Sequence, residues 1–352
     1  MPRHVYTLLV GSERRERISE PGSLAFLDDG DTVFHTITLK AGGGFGRLRQ
    51  VIGLLPRLRR AALVVTTEYI VAWSVGLMFW LTRAPARHVV VGLNISGRPI
   101  QPRRRWMRRL ANLAFRRVDL AIVASRPEAR IFHALHDIPM RRFAFALWSF
   151  DLPSAEGSAF ARPARPYFCL IGRNNRDHAT FCKALEGLEA DGVIVASAPP
   201  AFDPPPNVRV LTNISFADCI DCIRGSVANV ILVNDANRGA GHITIVTAMH
   251  CGRPQIISDV DTASDYFIEG EHVLTVPLAD PAACRAAMAG LLADPARADR
   301  MGAASEAYAL RWLTHDRRLQ RLEEIQRAWW TDGRFDPIDP DWAAERDAPR
   351  QL

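Results

Sequence analysis

The chain has 352 residues, a net charge of +6, 48% apolar residues and 23% charged residues. That length accommodates two domains of ordinary size, and the composition allows a large buried core while excluding disordered and collagen-like chains. Residues 1–150 hold 24 Lys and Arg against 10 Asp and Glu, and the remainder is net acidic, which points to two domains with different partners.

The opening apolar run is too short for a signal peptide and lacks a small-residue cleavage site. Strands are expected at 5–10, 33–39, 62–67, 88–93, 120–124 and 143–147, with helices at 48–60, 69–82, 104–116 and 127–136. The helix at 69–82, with Trp73, Met78, Phe79 and Trp80, falls short of the ~20 residues needed to span a bilayer. A cytoplasmic protein is therefore expected, with a peripheral position on the inner face of the cell membrane as an option. Residues 152–166 contain Pro153, Gly157, Pro163 and Pro166 and read as a linker.

The alternation then restarts, with strands at 167–171, 192–196, 208–211, 230–233, 255–258 and 273–276. Helices fit 178–188, 216–224, 244–251, 281–292 and one long stretch, 296–330, before a Pro- and Asp-rich tail at 331–352. The expected fold class is α/β: two Rossmann-like doubly wound domains, 1–151 and 167–330, facing across a cleft. Such folds bind ligands outside the carboxyl ends of their strands.

The segment from Asn234 to Pro254 runs strand, glycine loop, helix, then Gly252-Arg253-Pro254 into the next strand. Free backbone N–H groups at that helix start, with the positive end of the helix dipole, make a diphosphate site. Gly239 and Gly241 let phosphates approach the backbone; an ordinary strand-to-helix turn is the alternative. Upstream, Ile171-Gly172-Arg173-Asn174-Asn175-Arg176-Asp177 opens the same domain. Gly172 gives room at the strand end, Arg173 or Arg176 suits bidentate phosphate binding, and Asp177 suits helix capping or orienting an arginine.

In the first domain, Thr66-Thr67-Glu68 ends a strand, so the Glu68 carboxylate is either a base toward an acceptor hydroxyl or a cap for the next helix. Asn94 and Ser96 follow another strand and are candidates for the acceptor pocket, whereas Ser125 reads as a cap. Gly42-Gly43-Gly44-Phe45-Gly46 is a glycine loop without a P-loop lysine. Arg103, Arg104, Arg105, Arg108, Arg109, Arg116 and Arg117, interleaved with Trp106, Leu110 and Leu113, form a basic amphipathic helix. It suits an anionic membrane surface or a solvated face, and it lacks the aromatic platforms of a nucleic-acid binder. The pair Cys219-x-x-Cys222 has no second ligand pair, and Asp29, Asp31, Asp259 and Asp261 read as loop acids, so neither metal nor cofactor is expected.

The spacing of Gly241, Thr244, Thr247, Ala248, Met249, Gly252 and Pro254 resembles the Gly-x-x-Thr-x-x-Glu-Ala-Met-x-x-Gly-x-Pro of the GT-B glycosyltransferases, family 4-like, or group 1. The resemblance covers most of 165–330 and, more weakly, 60–150. It departs from the family at Thr247 and Gly239, where family members carry acids. It implies transfer of a sugar from a nucleotide diphosphate sugar to a hydroxyl of a glycan or lipid-linked acceptor, in surface polysaccharide biosynthesis and without a metal. On that reading Gly172, Arg173, Arg176, Arg238, Gly241, His242, Thr244 and Thr247 hold the donor. Glu68 and Asp235 are the candidate catalytic residues. The rivals are a catalytically silent module of this fold, binding glycan, membrane or a partner enzyme, and a nucleotide-sugar 2-epimerase.

Overall fold

The computed structural model describes residues 2–10, 21–40, 44–93, 105–235 and 241–347. Among the sequence candidates, Asn94, Ser96, Arg103, Arg104, Arg238 and Gly239 lie outside the described residues. The chain divides into two compact units, one of Met1–Leu147 with Arg318–Leu352 and the other of Trp148–Arg317.

The first unit is built on strands β1 (Arg3–Val10), β2 (Thr32–Leu39), β3 (Leu63–Thr66), β4 (Arg87–Val91), β5 (Leu120–Val123) and β6 (Phe143–Phe145). They form one parallel sheet in the order β2-β1-β3-β4-β5-β6. Its helices are α1 (Gly44–Leu58), α2 (Tyr69–Thr82), α3 (Arg105–Phe115) and α4 (Arg126–His136). Tyr6, Leu8, Val10 and Val64 pack against α1 and α2, while Val5, Leu63, Val65 and Val89 pack on the other face. This period-two division is why the strands read as continuous apolar runs. Gly44 and Gly46 belong to the first turn of α1 rather than to the expected loop; residues 42 and 43 lie outside the described residues. Ser125 caps α4, its hydroxyl accepting from the Glu128 amide.

The second unit carries β7 (Tyr167–Ile171), β8 (Asp191–Ala196), β9 (Val208–Thr212), β10 (Ala228–Ile231), β11 (Gln255–Ser258) and β12 (Val273–Val276). All are parallel, in the order β12-β11-β10-β7-β8-β9. Helices α5 (His178–Leu185), α6 (Phe216–Gly225), α7 (His242–His250), α8 (Pro281–Ala293) and α9 (Pro295–Trp312) cover the two faces. Cys169 and Cys222 are buried in one core cluster and Cys219 packs against it, which accounts for the cysteines as interior apolar residues. All six cysteines are free thiols.

Three parts of the chain differ from the sequence expectation. The long terminal helix breaks after Trp312, and α10 (His315–Asp332) starts at a turn whose Thr314 hydroxyl accepts from the Arg317 amide. From Arg318 onward α10 belongs to the first unit, where Leu322, Ile325 and Trp329 cover the sheet face carrying Val5 and Val89. Its buried Arg318 and Arg321 donate to the Leu147, Phe145 and Asp336 carbonyls. The expected tail is also packed: Asp339 caps α11 (Pro340–Arg346), and Trp342 is buried against Phe145. The expected linker joins the second unit, where the Trp148 amide donates to the Tyr266 hydroxyl and the Ala159 amide to Asp218.

Candidate active site

In open α/β sheets ligands bind in the crevice at the carboxyl edge where the strand order reverses, and each sheet here reverses once. In the second unit the reversal falls between β7 and β10, so the β7–α5 and β10–α7 loops meet there. These two loops carry most of the donor-site candidates.

Asn175 adopts a left-handed backbone, φ 53°, and ties the loops together. Its Oδ1 accepts from the Asn234 and Asp235 amides at 3.2 and 3.1 Å, and its Nδ2 donates to the Asp235 carbonyl at 2.9 Å. Asn234 reciprocates, donating from Nδ2 to the Arg176 carbonyl at 2.9 Å. Sequence reading missed this clamp, because an asparagine in a turn is compatible with many roles.

Arg176 sits at the centre of the crevice loops. Its Nε donates to the Ile171 carbonyl at 3.2 Å and its Nη1 to the carbonyls of Asn174 and Asn175 at 3.1 and 3.3 Å. A Cβ at Gly172 would fall on the guanidinium, so the space this glycine leaves is filled by Arg176 itself. The Nη2 end lies 3.5 Å from where a Cβ of Gly241 would stand. Gly241, at φ 96°, is the N-cap of α7 and offers no side chain to its amides. Arg176 makes no ion pair with a carboxylate among the described residues. Burial lowers its pKa to about 10, so the cation persists at neutral pH. A guanidinium held by carbonyls beside an uncapped helix start has donor geometry complementary to an anion with several oxygens.

The neighbours divide into those that face this cation and those that do not. Thr244 is half-buried, with Oγ1 directed to the same Ile171 carbonyl at 3.4 Å. Arg173 is exposed, and Asp235 is exposed with its backbone held by Asn175. Asp177 caps α5, accepting from the Thr180 amide at 2.9 Å, and pairs with no arginine among the described residues. His178, which sequence reading passed over, has a buried Nε2 without a partner. Burial, then the Arg176 charge, holds its pKa below the ordinary value.

Two expectations are corrected. Thr247 is buried, and its hydroxyl donates to the Ile243 carbonyl of its own helix at 2.7 Å, one turn back. A β-branched hydroxyl inside a helix finds that carbonyl without leaving its rotamer, so it presents nothing to a ribose. The His242 ring stacks on Tyr266 at 4.5 Å, and its Nε2 lies 2.9 Å from the Thr262 carbonyl. Nε2 is therefore committed within the fold.

In the first unit the reversal falls between β1 and β3, and Glu68 stands just beyond β3 as the N-cap of α2. Its side chain makes no capping bond; it pairs instead with Arg47 Nη1 from the first turns of α1. That pair engages Oε2, and Oε1 has no hydrogen-bond partner among the described residues. Nearby, Thr7, Ser23, Thr67 and Gln326 line a small recess with Leu24, Val65, Val91 and Leu322. The Gln326 amide donates to Ser23 at 3.0 Å, while its buried Oε1 has no partner. Among the described residues, no group of three or more His, Cys, Asp or Glu is placed to hold a metal ion.

Residues 173–324 match the family model described as glycosyl transferase-like. The D-rhamnosyltransferase WbpZ of Pseudomonas aeruginosa is 34% identical over 102 residues, 29% of this chain; the match spans about a quarter of that relative's length, 26%. Sucrose-phosphate synthase from Thermosynechococcus elongatus superposes with a TM-score of 0.69 at 14% identity, over 93% of this chain and 99% of that one. HepE of Anabaena, solved in complex with UDP and glucose, gives a TM-score of 0.71 at 12% identity, over 93% of this chain and 100% of that one. At these identities the structural likenesses speak for the fold.

Proposed function

We propose that this chain, which carries a glycosyl transferase-like domain over residues 173–324 and has the two-unit GT-B fold, transfers a glycosyl group from a nucleotide diphosphate sugar to a hydroxyl acceptor. The observation that carries this reading is Arg176, a cation without a carboxylate partner among the described residues, lodged between Gly172 and Gly241 beside the start of α7. As the glycosyl bond breaks, negative charge grows on the departing diphosphate. A fixed guanidinium and a helix N-terminus stabilise that charge more than they stabilise the ground state. Thr244 and Arg173 complete the polar edge of this site. HepE, with its UDP complexes, supports a uridine nucleotide as the first donor to try.

On the acceptor side, Glu68 takes the hydroxyl proton through Oε1 while Arg47 fixes the carboxylate's orientation. The likeness to a rhamnosyltransferase supports sugar transfer in polysaccharide biosynthesis, and a glycan or lipid-linked saccharide is the acceptor proposed with it. No helix among the described residues is long and apolar enough to cross a membrane.

The second reading is a catalytically silent module, favoured by the inward-turned Thr247 and by the ion pair on Glu68. The purified protein incubated with UDP-, GDP-, dTDP- and CMP-sugars separates the two. A donor at a hundred times its Kd adds about 2.7 kcal/mol, and melting of the second unit should rise by about 5–10 °C with slow release of free sugar. No shift and no hydrolysis with any donor would favour the silent module.

A further inference from the structure

Helices α1 and α3 both start at the carboxyl edge of the first sheet, the edge that also carries Glu68. The first five residues of α3, Arg105 to Arg109, are all exposed, so this turn projects beyond the layer instead of packing on it. Trp106 is 59% exposed and Met107 42%. On α1, Phe45 is 91% exposed, with Arg49 exposed one turn later. Phe45 and Trp106 are the most exposed Phe and Trp side chains among the described residues.

The charge around them is one-sided. Residues 40–118 contain sixteen Lys and Arg and a single acid, Glu68, which is itself paired with Arg47. Arg49, Arg105, Arg108 and Arg109 make no ion pair among the described residues.

We infer that this edge docks on an anionic lipid surface, with Phe45, Trp106 and Met107 entering the headgroup region and the four arginines meeting lipid phosphates. Apolar tips flanked by unpaired cations match the interface of a bilayer, where aromatic rings and guanidinium groups are both accommodated. The proposal deepens the transferase reading, on which the lipid-linked acceptor rests: docking brings membrane-held saccharides to the Glu68 edge. The docking itself stands on the surface alone.

Flotation of the full chain with vesicles tests it, using phosphatidylcholine alone and an equal mixture with phosphatidylglycerol. The wild type should float with the mixture and poorly with phosphatidylcholine. Each arginine near the surface is worth about fivefold, so replacing Arg105, Arg108 and Arg109 with Gln should weaken partitioning about a hundredfold. Phe45→Ser with Trp106→Ser and Met107→Ser should abolish the part of the binding that survives high salt, since salt screens only the charges. All these positions are exposed, so melting temperatures should stay at the wild-type value. A wild type that ignores the mixed vesicles, or binds heparin but no vesicle, overturns the inference, as do variants that float like wild type. Nucleotide binding measured on the same samples keeps the readings apart: flotation without nucleotide binding sinks the transferase and leaves the docking surface.

Discussion

Replacing Gly172 with Ala would add one methyl group where the Arg176 guanidinium now rests. The backbone at Gly172 is not in the left-handed region, so alanine brings no conformational strain there. The clash is with the far end of a flexible side chain, which can swing away. The cost to stability is then the guanidinium's own bonds, about 1–3 kcal/mol, and not a rebuilt backbone. Swinging away, however, removes the guanidinium from the Ile171, Asn174 and Asn175 carbonyls and from the start of α7. If the diphosphate binds that cation, the loss is one charge-assisted interaction, about 1.5–3 kcal/mol, or a 10- to 150-fold weaker Kd. Arg176→Ala should cost the same. In the Arg176→Ala background, Gly172→Ala should cost almost nothing further, because the methyl then displaces no one. Calorimetric titration of UDP or GDP into the four proteins of this cycle measures the coupling. Full affinity in Gly172→Ala, or additive losses in the double variant, would show that the guanidinium does not hold the donor.

Thr247→Glu should place a carboxylate in an interior position and lower stability by several kcal/mol, whereas Thr247→Val should melt near wild type and keep its nucleotide affinity; a well-folded Glu variant with tighter nucleotide binding would return Thr247 to the donor site. Asn175→Ala loses the clamp and strains a left-handed position, while Asn175→Gly loses only the clamp. The glycine variant should melt higher than the alanine one, with donor binding weakened in both, as thermal melts and calorimetry would record. His136 is buried, shares a hydrogen bond with the Tyr69 hydroxyl and has its pKa lowered by burial to about 4. The unfolded chain takes up its proton first, so stability should be lost as pH falls from about 6.5 towards 4, by up to about 1.4 kcal/mol per pH unit; a His136→Gln variant with an equally steep loss in urea titrations across that range would contradict this.

Much of the fold was legible because parallel strands buried on both faces read as apolar runs, and Gly172, Arg176 and Gly241 stood out by type and place. The ownership of α10 was not legible. A helix bearing Arg317, Arg318, Arg321 and Arg327 has the composition of a solvated surface, yet Arg318 and Arg321 are buried by satisfying strand-end carbonyls. Periodicity tells which face of a helix is covered, and says nothing of which sheet covers it. At the site, residue type pointed to Arg176 but could not tell where a threonine hydroxyl turns. Thr244 and Thr247 lie one turn apart, and only one is exposed enough to meet a ligand. Asn175 escaped for a different reason: its effect is on the backbone of a loop sixty residues away.

Because α10 closes the first unit, the order in which this protein is made differs from the order in which it can finish folding. As the chain leaves the ribosome, the first six strands emerge with one sheet face, that of Val5, Leu63 and Val89, still lacking its cover. The middle unit is continuous in sequence and has all its parts by Arg317. It can therefore complete first, although domains usually fold in the order of their synthesis. Until Trp329 is out, the basic half waits as an open sheet whose apolar face is exposed to chaperones and to other chains. A stop anywhere after residue 317 and before 330 would leave a finished centre attached to an unfinished beginning.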